Sequence, residues 1–434
     1  MEIPTLYHLF LEKRLVTTDS RNCPKDSIFF ALKGENFNGN AFASKALEAG
    51  CAYAVIDDPS YAIPNDKRFI LVNDTLKALQ KLANYHRRQL GTRVIGITGT
   101  NGKTTTKELV AAVLSQVHNV LYTEGNLNNA IGVPLTLLRL TAEHDIAVIE
   151  MGASHPGDIK ELTEIAEPDF GLITNVGMAH LQGFGSLEGV IRTKGELFDY
   201  LRTKTNATIF INNDNKYLTE IAQDLNQIRY GTPQEHLPLR VSGEVIDCAP
   251  YLHFRWHMGN SAWNEVQTHL IGSYNIDNMM AAATIGLYFG VTPSQINEAL
   301  TEYIPRNNRS QLEHTSHNRL IIDAYNANPT SMMAALENFR LMEVPHKVAV
   351  LGDMKELGEG SVEEHRKIVA FLQECGFERI LLVGAEFGKA NTGFEHYPDV
   401  HAVKELFAQE KPIGKYILIK GSNSMKLSQL KEVL

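Results

Sequence analysis

The stretch that most limits what this chain can fold into is Gly96-Ile-Thr-Gly-Thr-Asn-Gly-Lys-Thr-Thr-Thr106. An apolar run, Val94-Ile-Gly-Ile97, leads into it, and a helical pattern over residues 107–117 leads out. Strand, glycine-rich turn and helix start, in that order, are the context a phosphate-binding loop requires. Glycines let backbone N–H groups approach phosphate oxygens, and the helix N-terminus adds free donors and a favourable dipole. In such a loop Lys103 bridges the β- and γ-phosphates, and the Thr104 hydroxyl binds Mg2+. The pattern departs from G-x-x-x-x-G-K-[ST] because Ile97 holds the first glycine position and Gly99 stands in the turn instead.

Short apolar runs alternate with helical patterns on both sides of this loop, the mark of α/β architecture with mainly parallel sheets. Residues 28–32, 53–56 and 69–72 read as strands, and 43–49 and 76–90 as helices. A second set of strands follows at 94–97, 146–149, 172–174 and 208–211. Leu252, Phe254 and Trp256 then alternate with His253, Arg255 and His257, a half-exposed antiparallel strand in a small β appendage. Residues 275–289 read as a helix, and a third set of strands occupies 320–322, 348–351, 380–383 and 416–419. The expected fold is α/β in three domains. They are a first domain over 1–88, a central domain over 89–307 with a P-loop ATPase-type parallel sheet and its appendage, and a Rossmann-like domain over 308–434.

Bulk properties remove several alternatives. At roughly 100–200 residues per domain, 434 residues exceed one core. A formal net charge of -9 speaks against a nucleic-acid-binding surface. No apolar run is long enough for a membrane span, and Met1-Glu-Ile-Pro-Thr-Leu-Tyr-His8 lacks the features of a signal peptide. Cys23, Cys51, Cys248 and Cys375 are scattered without C-x-x-C spacing, as expected of thiols in a reducing cytoplasm.

The form Thr98-Gly-Thr-Asn-Gly-Lys-Thr-Thr105 resembles the loop of Mur ligases and their folylpolyglutamate synthase relatives. Further matches run through the chain in order. Asp19-Ser-Arg21, Phe29-Phe-Ala-Leu-Lys-Gly34 and Phe37-Asn-Gly-Asn40 resemble the family's UDP-sugar-binding segment. Gly125-Asn-Leu-Asn-Asn129, Ile131-Gly-Val-Pro134, Glu150-Met-Gly-Ala-Ser154, Asn175-Val-Gly-Met-Ala-His180 and Phe184-Gly-Ser186 continue the match. Asp323-Ala-Tyr-Asn-Ala-Asn-Pro329, Leu351-Gly-Asp-Met-Lys-Glu-Leu-Gly358 and Lys420-Gly-Ser422 complete it. These last segments, with 180–194, are similar to the members that add D-alanyl-D-alanine. The D-N-P-R tetrapeptide of diaminopimelate-adding members is absent.

The resemblance implies an ATP-dependent amide ligase that joins D-alanyl-D-alanine to UDP-N-acetylmuramoyl-tripeptide through an acyl phosphate, in peptidoglycan precursor synthesis. ATP contacts fall on Gly99, Thr100, Asn101, Gly102, Lys103, Thr104, Thr105, Asn278, Arg309, Asp323, Tyr325 and Asn326, with Asn328 beside them. Two Mg2+ ions are assigned to Thr104, Glu150, His180 and a carbamylated Lys194. Lys103, Lys194, His180 and Arg309 form the catalytic set. Ser20, Arg21, Asn38, Asn128 and Asn129 face the UDP substrate, although Asn38-Gly39-Asn40 replaces the family's frequent Asp-Gly-His. The same residues have plainer readings: a solvated strand-end carboxylate at Glu150, a structural histidine at His180, a surface helix lysine at Lys194, a helix cap at Asn278. Another Mur-type or folylpolyglutamate-type ligase is one alternative, and a P-loop regulatory ATPase that ligates nothing is another. A cytoplasmic monomer is expected, with no nucleic-acid or membrane partner.

Overall fold

A computed structural model describes residues 1–234, 239–305, 309, 311–390 and 393–434. Its apolar runs become strands covered by helices on both faces. Ile146–Glu150 and Thr208–Asn212 are buried at every position, as expected of a parallel sheet's interior.

Among the described residues the central sheet has nine strands. From one edge they are Asn264–Ile271, Tyr251–Met258, Val241–Cys248, Asn226–Gly231, Thr208–Asn212, Phe170–Ile173, Arg93–Thr98, Ile146–Glu150 and Val120–Tyr122. The β appendage thus continues the central sheet, because Val241–Cys248 pairs in parallel with Asn226–Gly231 before the ladder turns antiparallel. Leu252, Phe254 and Trp256 are fully buried, and the helices Ile276–Tyr288 and Pro293–Glu302 close that face. Arg93–Thr98 lies between Ile146–Glu150 and Phe170–Ile173, where the direction of strand succession reverses. Ligands of open parallel sheets bind beyond the carboxyl ends of the strands at such a point.

The first domain carries a parallel sheet of Val16–Thr17, Ile28–Phe30, Tyr53–Ile56 and Phe69–Leu71. Its helix Thr75–Leu90 starts where the Asp74 carboxylate accepts the Lys77 amide at 2.8 Å, and ends at Gly91 with φ +67°. That helix packs on the central helices Gly132–Leu137 and Asp158–Ala166, and Leu79, Leu82, Val133, Leu137, Ile159 and Leu162 share one apolar cluster. The division at 88/89 falls in its last turn, and the division at 307/308 lies outside the described residues.

The third sheet runs Gln311–His314, Arg319–Asp323, Tyr416–Lys420, Lys347–Gly352, Arg379–Val383 and Glu395–Tyr397. It places Asp323 opposite Lys420 at adjoining carboxyl ends. Among the described residues no helix is long and apolar enough to cross a membrane.

Candidate active site

The helix after the glycine loop is Lys103–Leu114, so it begins at Lys103 and not at 107. Polar, β-branched Thr104-Thr-Thr106 looks like loop in isolation, but the turn before it is held by tertiary contacts. Asn101 N–H donates to Asn175 Oδ1 at 3.0 Å, and Thr174 Oγ1 and Asn175 Nδ2 donate to Asn101 O at 2.6 and 3.1 Å. Gly99 has φ +145°, and a Cβ there would lie 2.0 Å from Thr174 Oγ1. Gly102 has φ +78°, and its Cβ would meet Asn278 Oδ1 at 2.6 Å. Both positions therefore demand glycine on conformation and on space.

Lys103 is the first helical residue, and its ammonium donates to Gly99 O at 2.7 Å and Thr100 O at 3.0 Å. Burial pushes its pKa down to about 8, with Arg309 adding to the shift and Glu150 opposing it. A cation so placed is held against its own loop carbonyls until an anion arrives.

Glu150 ends the neighbouring strand and is buried. Its Oε1 accepts from Thr104 Oγ1 at 3.1 Å and Asn128 Nδ2 at 2.8 Å. Its Oε2 is buried with no hydrogen-bond partner among the described residues. An unpaired carboxylate oxygen removed from water is costly, so this atom points to a cation as its missing partner. Asn129 instead accepts the Ile131 and Gly132 amides at 3.1 and 2.9 Å, opening the next helix.

His180 lines the same cavity, and its Nδ1 lies against the Glu356 carboxylate of the third domain. Lys194 sits on the helix Leu187–Arg202 but is buried, unlike an ordinary surface lysine. Its Nζ reaches Ala153 O at 3.5 Å and lies 5.2 Å from the Phe184 ring centre. Burial holds its pKa well below the usual lysine value, and the charge of Lys103 adds to the effect. Lys194 stands behind the cavity wall, of which Ala153 is part.

The cavity has a volume of about 550 Å³ and takes residues from both the central and third domains. Arg309 lies with its guanidinium carbon 4.0 Å from the Tyr325 ring centre, and its buried Nε has no partner among the described residues. Asp323 is paired with the buried ammonium of Lys420. Asn326 Oδ1 accepts the Ala327 amide at 2.9 Å, and Asn328 Nδ2 crosses to Asn101 Oδ1 at 2.8 Å. Asn278 lies within the first turn of Ile276–Tyr288, accepts from Thr106 Oγ1 at 2.9 Å and donates to Asn275 at 2.8 Å. Beside it, burial and Asp214 push the Asp277 carboxyl up to about 6, against a hydrogen bond from Asn212.

The first-domain candidates do not join this cavity. Arg21 is exposed and pairs with Asp19. Asn38 Oδ1 accepts the Asn40 amide at 3.0 Å, and Asn40 reaches Asp57 Oδ1 at 2.8 Å, so the Asn-Gly-Asn turn ties itself together. Sequence reasoning missed Asn175, Lys420 and Glu356 as site residues. All three stand in quoted motifs; Lys420 ends a strand and Asn175 lies two residues beyond one, the signal that could have found them.

The family comparisons agree with this geometry. A family model described as the Mur ligase middle domain matches residues 97–286. A second, the Mur ligase glutamate ligase domain, matches 308–423, and a third, the Mur ligase family catalytic domain, matches 13–87. The UDP-N-acetylmuramoyl-tripeptide--D-alanyl-D-alanine ligase of Bacillus subtilis (strain 168) is 36% identical over 96% of this chain and 92% of its own. The chain belongs to the Mur ligase family. The Escherichia coli (strain K12) ligase of the same name is 36% identical over 96% of this chain and 93% of its own. Among solved Mur ligases, MurF from Acinetobacter baumannii superposes with a TM-score of 0.86 at 31% identity, covering 96% of this chain and 92% of that one. MurF from Thermotoga maritima in complex with ADP gives a TM-score of 0.86 at 26% identity, covering 98% and 97%.

Proposed function

We propose that this Mur ligase joins D-alanyl-D-alanine to UDP-N-acetylmuramoyl-tripeptide at the expense of ATP. One observation carries the reading: a single cavity collects the phosphate loop with Lys103, the unpartnered Glu150 oxygen, and Arg309 from another domain. The names of the relatives supply the substrates.

In this reading the tripeptide carboxylate attacks the γ-phosphorus of ATP and releases ADP. The dipeptide amine then displaces phosphate from the acyl phosphate and loses a proton. Both steps build negative charge, so fixed cations matter more than general base strength. Lys103 holds the β- and γ-phosphates, with Gly99, Thr100, Asn101, Gly102 and Thr105 forming the loop around them. Arg309 meets the transferred group from the third domain. Asn278, Tyr325 and Asn326 border the base, and Lys420 holds Asp323 towards the ribose. Asn128 and Asn129 face the peptide end of the substrate, and Ser20, Arg21 and Asn38 its uridine diphosphate end. The working division is 1–88, 89–307 and 308–434, in a cytoplasmic monomer.

The residues fit Mg2+. Glu150 Oε2 is a hard oxygen without a partner among the described residues, and in this reading Thr104, His180 and a carbamylated Lys194 complete the set. No group of three His, Cys, Asp or Glu side chains able to hold a metal occurs among the described residues. That suits an ion bound largely through substrate phosphates. When bound, Mg2+ supplies charge neutralisation at the phosphates. For the carbamate, burial shifts Lys194 towards the neutral amine, the form that attacks CO2 to form an N–C bond and release one proton.

The direct test is ligation with mass detection, using ATP, D-alanyl-D-alanine and tripeptides ending in diaminopimelate or lysine. The expected products are the UDP-linked pentapeptide, ADP and phosphate. ATP turnover that ignores the dipeptide, with no pentapeptide, sinks the reading.

Nucleotide binding should also be linked to protons. With a pKa of about 8, Lys103 is about half neutral at pH 8 in the free protein. Bound phosphates favour the ammonium and raise that pKa. Binding at pH 8 should therefore take up about 0.5 proton, and at pH 6 almost none from this group. Affinity should be full below pH 8 and fall as the pH rises through it. Calorimetry of ADP binding in two buffers of different ionisation enthalpy reads the uptake directly. No uptake at pH 8 would mean that Lys103 is already fully charged in the free protein.

A further inference from the structure

His180 and Glu356 face each other across the seam between the central and third domains. The imidazole Nδ1 is in ion-pair contact with Glu356 Oε2 but out of line for a hydrogen bond, so this buried nitrogen has no hydrogen-bond partner among the described residues. The backbone closes a second link, Gln182 N–H donating to Glu356 O at 3.2 Å. Both residues have left-handed backbones, with φ +50° at His180 and φ +64° at Glu356. Side chains other than glycine seldom adopt that conformation, so the two side chains meet through locally unfavourable turns on both sides. Glu356 makes no contribution to either apolar core, and its side chain is 54% exposed. Packing does not explain it.

We propose that Glu356 is a positioning residue: with a small turn of the ring its carboxylate accepts the Nδ1–H of His180, which has no other partner among the described residues, fixes the ring, and leaves Nε2 as the acceptor on the cavity side. Histidines that hold metals usually donate their other ring N–H to a carboxylate, which sets tautomer and orientation. Here the orienting group comes from a different domain than the histidine. The ring is therefore set only when the third domain is docked, which ties readiness for phosphoryl transfer to the domain that carries Arg309. This role rests on the proposed metal function of His180.

The test uses the full chain with 15N-labelled histidine, read by NMR at a pH where the imidazole is neutral. In the wild type, His180 should be the Nδ1–H tautomer. Glu356→Ala should shift it to the Nε2–H form that imidazole favours in water, with an unchanged circular dichroism spectrum. Binding of Mn2+ with a non-hydrolysable ATP analogue, followed by electron paramagnetic resonance, should weaken about 10- to 100-fold. An Nε2–H tautomer in the wild type, or one unaltered by Glu356→Ala, overturns the proposal. So does unchanged Mn2+ affinity in Glu356→Ala while His180→Ala weakens it. If His180→Ala also leaves Mn2+ affinity unchanged, the metal role of His180 fails, and the tautomer measurement still reports the Glu356 contact separately.

Discussion

Lys103→Ala is expected to slow ligation by at least about a hundredfold, a loss of roughly 2.7 kcal/mol of transition-state stabilisation. The ammonium is the first residue of its helix and is held against Gly99 O and Thr100 O, so its position is set before any nucleotide enters. A cation already held at the loop has only to exchange these carbonyls for phosphate oxygens as the nucleotide enters. Alanine keeps the helix, being a strong helix former, and removes the charge together with its two bonds to the loop carbonyls. Circular dichroism should therefore be unchanged while steady-state ligation falls. Near-normal turnover in Lys103→Ala would end the phosphate-loop assignment.

A second large effect is expected at Lys194. Lys194→Ala should abolish most ligation, again about a hundredfold or more by the loss of one charged group at the reacting phosphates. Added acetate or formate should restore part of the rate, because a free carboxylate can occupy the space of the carbamate. Lys194→Arg should not be restored, since a guanidinium keeps its charge and cannot take up CO2. Among the described residues the amine's polar contact is long, to Ala153 O at 3.5 Å, and burial with the nearby Lys103 charge works against an ammonium there. Neutral amine, the form that reacts with CO2, is the form this pocket favours. A 13C-bicarbonate NMR signal of a carbamate, present in the wild type and missing in Lys194→Arg, would accompany the rate loss. Wild-type ligation by Lys194→Arg would exclude the role.

Much of the fold was legible because strands such as Ile146–Glu150 and Tyr416–Lys420 are apolar on both faces and stand out as unbroken runs. Val16–Thr17 was not, since two residues carry no periodicity. Nor was the joining of Val241–Cys248 to the central sheet, which depends on a pairing partner and not on its own pattern. The start of the helix at Lys103 was hidden because its first turn is threonine-rich, and only Asn278, far along the chain, closes the space above Gly102. At the site, Glu150 and Lys103 follow from strand-end and loop position. The burial of Lys194 does not follow from its polar surroundings, Arg192-Thr-Lys-Gly-Glu196. Glu356 was invisible for a further reason: its partner lies in another domain, and a local motif says nothing about docking.

The first two domains share one continuous apolar cluster, from Leu6 and Leu82 through Val133 to Leu197. The third has its own clusters, joined to the central sheet through Ile271 and Tyr251, while the seam at the cavity is bridged by polar contacts such as Asn328 to Asn101. Heating such a molecule acts on two cooperative units of unequal size. A single melting temperature then describes the chain incompletely, because multi-domain chains commonly depart from all-or-none unfolding. A ligand held from both sides of the seam couples the two units, and the sharpness of the thermal transition becomes a measure of how firmly they are joined.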